Sequence, residues 1–357
     1  MPVEAKPLFR PDVLRPHLQA FDWPANLDQT RQALARWSQL LASERAVKFK
    51  EQELLPDFLT DIFCLGLGYT RPADNSVRYT LKRETHVQVD GKFADAVLGS
   101  FQPGHEEFLV ALEGKGPLDP LDRPFAGRKM SAVDQGYRYA INLPCDWVIV
   151  TSMRQTRLYY KGTDQHTYER FDTDRLATDA ALLKRFLFLL GAERVVPGVG
   201  RCHLHALINA SEKVGKKLTK DYYFQYAEMR QNAFEDLRRE NPDRLPNELL
   251  SATQKLLDRI LFCAFSEDRG LLPPDTIQNA YANRDVYNPR PIWDNFKGLF
   301  RAIDTGNLGL NIPAYNGGLF AIDPVLDQLT LTDAVCAHFR DLSAYDYRPP
   351  SIVSAEA

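Results

Sequence analysis

The chain has 357 residues, of which 44% are hydrophobic and 25% are charged, as is typical of a soluble globular protein with room for two domains. The formal net charge is -3, so contact with nucleic acid would depend on local groups of Lys and Arg. Five scattered cysteines predict neither a disulfide framework nor a zinc site. The sequence shows no signal-peptide pattern and no apolar stretch of the ~18 residues that cross a bilayer. We therefore expect a cytoplasmic protein without a membrane partner.

The first predicted elements in chain order are helices. Residues 1–43 are rich in Pro and polar groups and are predicted to form an N-terminal arm with one helix, at 27–41. The segment 47–69 repeats apolar residues at helical spacing. Glu51 falls on the apolar face of this helix, so one carboxylate points along a surface that is otherwise hydrophobic.

After this helix the apolar period changes to two, which predicts strands. The candidate strands are 79–89, 93–98, 108–113, 146–151 and 157–160. A helical segment at 128–143 lies between the third and fourth strands and predicts a crossover between them. An amphipathic helix at 174–190 closes an α/β domain that we place at 44–195.

From residue 196 the strand signals stop and helical periodicity takes over. Four segments show it: 206–218, 221–241, 247–270 and 292–303. They predict an all-α second domain at 196–347. The last residues, 348–357, are polar and contain Pro, as in a linker.

Asp95 stands inside one apolar run of the first domain, and Glu113 and Lys115 stand inside another. Residues i and i+2 of a strand share a face, so Glu113 and Lys115 should project together while Gly114 faces away. If the strand of Asp95 pairs beside them, two carboxylates and an ammonium meet in a small volume. Glu51, on the preceding helix, would be positioned to join them.

Two carboxylates at short distance repel each other unless a cation lies between them, and oxygen ligands suit Mg²⁺. We therefore predict Asp95 and Glu113 as metal ligands. A metal there would polarise a phosphoryl oxygen and lower the pKa of a bound water. Lys115 would orient that water and neutralise charge that develops on phosphorus. The alternative for a short E-x-K motif is a surface salt bridge.

The arrangement D-(17 residues)-E-x-K resembles the PD-(D/E)xK nucleases. Gln135 and Tyr139, four residues apart on the helix after this motif, resemble the QxxxY element of many nucleases of that superfamily. The segments 256-LLDRILFCAFSEDRGLLP-273 and 313-PAYNGGLF-320 closely resemble two signatures of the helical connector in the Eco57I-like family, the type IIG restriction-modification enzymes. The resemblance covers about residues 44–347.

The resemblance implies a PD-(D/E)xK nuclease core, a mixed sheet flanked by helices, followed by an all-α connector domain. It implies Mg²⁺ as cofactor and double-stranded DNA as substrate. Carried over residue by residue, it implies Asp95 and Glu113 as metal ligands and Lys115 as the catalytic lysine. Gln135 would support the site and Glu51 would be a helix-borne accessory acid.

Members of that family continue into an S-adenosylmethionine-dependent DNA methyltransferase and a target recognition domain. This sequence contains neither an NPPY motif nor a Gly-rich turn for S-adenosylmethionine. We therefore expect S-adenosylmethionine to act only through a methyltransferase module outside these residues, in cis or in trans. The chain resembles the N-terminal portion of a larger enzyme, or a nuclease subunit with a separately encoded partner.

Two basic groups are candidates for contact with DNA phosphates. The first adjoins the E-x-K motif and consists of Arg123, Arg128 and Lys129. The second contains Lys213, Lys216, Lys217 and Lys220, for which a solvated helix face is the favoured interpretation. The aromatic residues at 222–226 follow it and are expected to be buried in a helix core.

Three functional hypotheses remain at this level. The leading one is an Mg²⁺-dependent DNA endonuclease that needs a methyltransferase and recognition module for specificity. The second is a non-catalytic scaffold or DNA-docking subunit of a phage-defence complex, in which the acidic residues are structural. The third is a nuclease that stays silent until its partner binds.

Overall fold

A computed structural model of the protein describes residues 5–86, 93–125, 127–197, 201–315, 317–343 and 345. The chain forms two compact units, and the division between them follows Lys213, inside the long helix α8 (His203–Glu240). The sequence places the boundary at 196, where strand signals end. The first turns of α8 belong with the first unit because their apolar side chains, including Leu204 and Leu207, are buried in its core. Within the described residues, no helix is both long and apolar enough to cross a bilayer.

The N-terminal residues are part of the first unit rather than a separate arm. Helices α1 (Pro11–Ala20) and α2 (Leu27–Ala42) pack into its core, and α2 matches the predicted helix. Phe9, Leu34 and Trp37 are buried there. The arm was inferred from Pro and polar content, but a few large apolar side chains at helical spacing are enough to anchor such a segment.

The helix predicted over 47–69 is present in three pieces. A 3₁₀ turn at Glu44–Lys48 precedes α3 (Glu51–Phe58), which continues as the π-helical segment Leu59–Gly66. The face of α3 that carries Leu55 is buried, as its periodicity indicates.

The first unit contains a mixed sheet. Its strands are β1 (Tyr79–His86), β2 (Phe93–Gln102), β3 (His105–Gly114), β4 (Trp147–Thr151), β5 (Gln155–Tyr160) and β6 (Glu169–Asp172). They are neighbours in that order; β3 and β4 are parallel, and the other adjacent pairs are antiparallel. The predicted α/β class is confirmed at this level. The sequence pattern missed β6, and residues 87–89 of the first predicted strand lie outside the described part of the chain.

The pairing of β2 with β3 contains an irregularity that decides the register at the site. The register shifts between Leu98 and Gly99, where a Cβ would lie 2.0 Å from the carbonyl oxygen of Glu107. A glycine is therefore needed at this β-bulge. Beyond the bulge Ala96 pairs with Leu112, so the ends of β2 and β3 come together.

The crossover between β3 and β4 contains α4 (Ala132–Asn142). The helix starts later than the predicted 128 because Ser131 caps it: its hydroxyl accepts the backbone N–H of Asp134 at 3.0 Å. The helix predicted over 174–190 is divided into α5 (Thr173–Thr178) and α6 (Ala180–Leu190), and the short α7 (Ala192–Val195) follows.

Each face of the sheet is covered by a different group of elements. Side chains such as Leu112 and Ile149 join one core with α1, α2, α3 and α6. Ala111, Val148 and Val150 join a second core with α4. The helix that carries Gln135 and the helix that carries Glu51 therefore lie on opposite faces of the sheet.

The second unit is helical in its described residues. It contains the rest of α8, α9 (Pro246–Asp268), α10 (Thr276–Ala282), α11 (Ile292–Thr305) and α12 (Asp333–Ser343), with 3₁₀ turns at Leu308–Leu310 and Leu326–Gln328. The segments 206–218 and 221–241 are one continuous helix, α8, because no Pro interrupts them.

The two segments that carry the resemblance to a connector domain contact each other in this unit. Arg259 is buried and donates hydrogen bonds to the carbonyl oxygens of Leu319 (2.9 Å) and Ala321 (2.8 Å). The rings of Phe262 and Tyr315 are 4.4 Å apart. The guanidinium thus donates hydrogen bonds to carbonyl oxygens of a loop, which lack the backbone N–H partners that a helix or sheet would provide. Asn316, within the second segment, lies outside the described residues.

Candidate functional site

The candidate site is formed where β2 begins and β3 ends. The backbone N–H of Gly114 donates to Asp95 Oδ2 at 2.7 Å, which ties the aspartate of β2 to the end of β3. The backbone N–H of Lys115 donates to Thr151 O at 2.7 Å, so the chain stays beside β4 past the last residue of β3. The Lys115 ammonium contacts Glu113 Oε1. The structure therefore brings Asp95, Glu113 and Lys115 together.

The ion pair at the centre of this group is buried. Glu113 is 1% exposed and Lys115 is 4% exposed. One carboxylate oxygen, Glu113 Oε2, is buried and has no hydrogen-bond partner among the described residues. A buried carboxylate oxygen without a donor is costly, and a hydrogen bond between the Glu113 and Asp95 carboxyl groups, which lowers the pKa of Asp95, relieves this cost when Glu113 is protonated.

The pKa values of the carboxyl groups at the site are raised. Burial raises the pKa of Glu113 well above its ordinary value, and the negative charge of Asp95 raises it further. The positive charge of Lys115 lowers it. Burial also raises the pKa of Asp95, although the Gly114 N–H and the Lys115 ammonium oppose this. Burial raises the pKa of Glu51 as well. Three carboxyl groups thus share too little positive charge to ionise at their ordinary pKa.

Helix α3 approaches the site through a glycine contact. A Cβ at Gly114 would lie 2.4 Å from Leu55 Cδ2, so the backbone of β3 and the side chain of α3 touch directly. Glu51 is in the first turn of α3, and its carboxylate lies 3.9 Å from a guanidinium nitrogen of Arg128. The close approach that Gly114 permits therefore brings the acid of the helix towards the strand end.

Helix α4 approaches the site from the other face. A Cβ at Gly136 would lie 2.8 Å from Val148 Cγ1 and 3.7 Å from the Cβ of Glu113. Gln135, the neighbouring residue, donates from Nε2 to the hydroxyl of Tyr139 at 2.6 Å. Burial raises the pKa of Tyr139 to about 12, so this hydroxyl keeps its proton at neutral pH.

These elements surround a cavity of about 760 Å³. Its lining residues are Lys50, Glu51, Gln52, Lys115, Gly127, Arg128, Lys129, Met130, Gln135, Arg138 and Tyr139. The cavity brings together three predicted catalytic residues and two of the predicted DNA-binding residues. Five of the lining side chains are basic and one is acidic, so the cavity is suited to an anionic ligand.

The three predicted DNA-binding residues have different positions. Lys129 is exposed at the cavity. Arg128 lines it too, but its guanidinium contacts Asp119, so part of its charge is already neutralised. Arg123 is exposed and is not among the described residues that line the cavity.

Three polar lining residues were missed by reasoning from the sequence: Lys50, Gln52 and Arg138. Arg138 is three residues after Gln135, so helical spacing alone places it on the same side of α4. Lys50 and Gln52 flank Glu51 at the start of α3. A search for basic residues near each predicted catalytic residue would have found Arg138 and Lys50.

The donors that could hold a metal ion are the oxygens of Asp95 and Glu113. Among the described residues, no group of three or more His, Cys, Asp and Glu side chains is arranged to hold one. A cation at this point would have to take its remaining ligands from water, main chain or substrate, as Mg²⁺ commonly does.

Comparisons of the chain with known protein families, with curated proteins and with solved structures found no match.

Proposed function

We propose that the first unit is an Mg²⁺-dependent endonuclease of the PD-(D/E)xK type that hydrolyses phosphodiester bonds in double-stranded DNA. The observation that carries this proposal is the meeting of Asp95, Glu113 and Lys115 at the ends of β2 and β3, beside a basic cavity. The mixed sheet with helices on both faces is the architecture that the resemblance implies.

The donor set fits a hard divalent cation. Asp95 and Glu113 offer oxygen ligands, Glu113 Oε2 has no donor among the described residues, and burial disfavours both charges in the absence of a cation. Held by these two carboxylates, Mg²⁺ would polarise a phosphoryl oxygen and lower the pKa of a bound water.

The chain's own residues then have distinct tasks. Lys115 is held by its ion pair with Glu113, so its ammonium can orient a water and stabilise negative charge that develops on phosphorus. Gln135 and Tyr139 form a hydrogen-bonded pair at the wall of the cavity and position polar groups towards the substrate. Glu51 adds a carboxyl group from α3.

Substrate binding would rest on the basic lining of the cavity. Lys50, Lys129 and Arg138 supply positive charge for phosphates next to the bond that is cut, and contacts of this kind carry no sequence information. We therefore propose that specificity requires a methyltransferase and a target recognition domain, in cis or in trans. S-adenosylmethionine would enter only through that module.

The test is cleavage of supercoiled plasmid by the purified chain with Mg²⁺. We expect weak nicking of low specificity. Lys115→Ala should lower it by ~10²-fold or more, since it removes a charge that acts on the transition state. Lys115→Met, which keeps the apolar stem, should be equally inactive.

The matched control is Lys255→Ala, which removes a lysine from a different ion pair, with Asp323 at 2.7 Å. It should cut at the wild-type rate. Circular dichroism establishes that each variant is folded. Equal cleavage by the wild type and both Lys115 variants would refute the assignment. Cleavage that appears only when a methyltransferase partner is added would identify a nuclease kept silent until it assembles.

One observation favours a non-catalytic scaffold or DNA-docking subunit. Glu113 and Lys115 neutralise each other in the interior, as a structural ion pair does. A structural pair, however, leaves Glu113 Oε2 without a donor among the described residues. Dependence of stability on Mg²⁺ separates the two roles.

A further inference from the structure

A second basic surface lies on α8, in the part of the helix that belongs to the second unit. Lys216, Lys217 and Lys220 are exposed there, and so are two aromatic residues that follow them. Tyr223 is 70% exposed and Phe224 is 63% exposed, although the sequence pattern predicts that the aromatic run is buried. Two large rings held in water beside lysines are typical of a binding surface rather than of a core.

The five side chains share one face of the helix. Lys216, Lys220 and Tyr223 are spaced i, i+4, i+7, and Lys217, Lys220 and Phe224 are spaced i, i+3, i+7. The Lys220 ammonium lies 5.7 Å from the centroid of the Phe224 ring, as in a cation-π pair. At a rise of about 1.5 Å per residue, this lysine-aromatic face is about 12 Å long.

The core of the second unit does not need the two exposed rings. The opposite side of α8 supplies Met229 and Ala233, which are buried, and Tyr222 and Tyr226, which are half-buried and stack at 6.3 Å. The apolar side of the amphipathic helix therefore packs into the core without Tyr223 or Phe224.

Acidic side chains border the lysine-aromatic face, but none of its five positions is acidic. Glu212 lies one turn before Lys216, Asp221 one turn after Lys217, and Glu228 one turn beyond Phe224. The face itself presents three exposed lysines and two exposed rings, which suit the phosphates and the bases of a nucleic acid.

We propose that the lysine-aromatic face binds single-stranded nucleic acid, with the three lysines on phosphates and Tyr223 and Phe224 stacked on bases. Every base has a π-face, so stacking of this kind needs no particular sequence. In a duplex the bases are paired and stacked on each other, so Tyr223 and Phe224 find no free base face for stacking. At about 3.4 Å per nucleotide, the face spans roughly three to four nucleotides. This binding is separate from the proposed nuclease site.

The test is fluorescence anisotropy of the full chain with a labelled oligothymidylate of about 15 nucleotides, in EDTA so that cleavage cannot occur. Phe224→Leu keeps an apolar side chain but removes the ring, and should weaken binding by about 5- to 150-fold. The triple variant Lys216→Gln, Lys217→Gln, Lys220→Gln should lower the slope of log affinity against log salt by about 2, since each phosphate contact contributes about 0.7.

The control variants are Tyr287→Leu, which removes a fully exposed ring elsewhere in the second unit, and Lys255→Ala, which removes a lysine paired with Asp323. Both should bind the oligonucleotide like the wild type. Unchanged affinity in Phe224→Leu would overturn the proposal, as would an equal loss of affinity for the matching duplex in that variant. So would concentration-dependent self-association that Phe224→Leu abolishes without any loss of oligonucleotide binding, because the face would then contact protein.

Discussion

At the scale of single residues, the site is defined by an excess of carboxyl groups over ammonium groups in a buried place. Asp95, Glu113 and Glu51 all have raised pKa values, and burial is the largest cause for each. Lys115 is the cation that lowers the pKa of all three. Such an arrangement destabilises the chain without a cation, and residues that cost stability in this way are typical of functional sites.

This excess of negative charge predicts a stability effect that depends on Mg²⁺. Asp95→Asn keeps an oxygen that can accept the Gly114 N–H but removes one charge. We expect the variant to be at least as stable as the wild type in EDTA. Mg²⁺ at about 100 times its Kd should stabilise the wild type by about 2.7 kcal/mol and the variant by much less. Thermal unfolding with and without Mg²⁺ measures both differences.

Asp323→Asn is the control for this measurement, because it removes a carboxylate from an ion pair with Lys255 in the second unit. It should lose stability, and its response to Mg²⁺ should equal that of the wild type. If Mg²⁺ stabilises Asp95→Asn as much as the wild type, Asp95 is not a metal ligand and the scaffold hypothesis gains support.

The composition of the site was predictable only in part. The spacing of Asp95, Glu113 and Lys115 was visible because period-two alternation identifies which strand residues share a face. The pairing of Arg128 with Asp119 could not be predicted from the sequence, because contacts within an irregular loop leave no periodic signal. The same holds for Lys50, which reaches the cavity through the position of α3 rather than through a motif.

At the scale of elements, the close packing of α3 against β3 depends on one glycine. In Gly114→Ala the new Cβ would lie 2.4 Å from Leu55 Cδ2, so the helix or the side chain must move. We expect a loss of about 1–3 kcal/mol, as for other overpacked sites. The proposed nuclease activity should fall too, because α3 carries Glu51. Urea unfolding and the plasmid assay measure the two effects.

Gly298→Ala is the matched control in α11, where no described atom lies within 4 Å of the position of the new Cβ. Replacing this helical glycine should raise the free energy of unfolding by about 0.5–1 kcal/mol. If Gly114→Ala behaves like Gly298→Ala, the contact between α3 and β3 has no energetic role.

Elements with a strong period were predictable, and short or interrupted ones were not. The strands β2 to β5 and the helices α4, α9 and α11 occur where alternation or helical spacing predicts them. β6 has four residues, too few for alternation to be distinguished from chance. The break between α5 and α6 arises from a cap, since Asp179 accepts the N–H of Leu182 at 2.9 Å, and its sequence signal is a single residue.

At the scale of the whole molecule, average charge and local charge differ. The net charge of -3 excludes a general basic field, yet the cavity and the lysine-aromatic face each gather cations in a small area. Composition could not predict the cavity, because its lining residues are far apart in the chain and meet only after folding. The lysines of the lysine-aromatic face lie within a few residues of each other and are visible in the sequence. Phe9 and Trp37 likewise pack into the first core beside residues that are distant in the sequence, so composition could not predict their burial.

Stability of the folded chain should also depend on pH through one histidine at the start of α8. Burial lowers the pKa of His203 from 6.5 to about 4, while its hydrogen bond to Leu189 O, 3.1 Å from Nε2, opposes that shift. Arg194 and His17 lower the pKa further, and the ring lies 5.2 Å from that of Phe188. The neutral imidazole is therefore the form that fits the folded state.

As pH falls through 6.5, the unfolded chain binds a proton at this histidine, whereas the folded chain binds it only near pH 4. Proton binding then favours unfolding, and His203 should cost on the order of 2 kcal/mol between pH 7 and pH 5. Urea unfolding at the two pH values measures the loss, which should be smaller in His203→Gln. His105→Gln, a change at an exposed histidine, should keep the wild-type dependence. The same pH dependence in His203→Gln as in the wild type would show that other groups cause it.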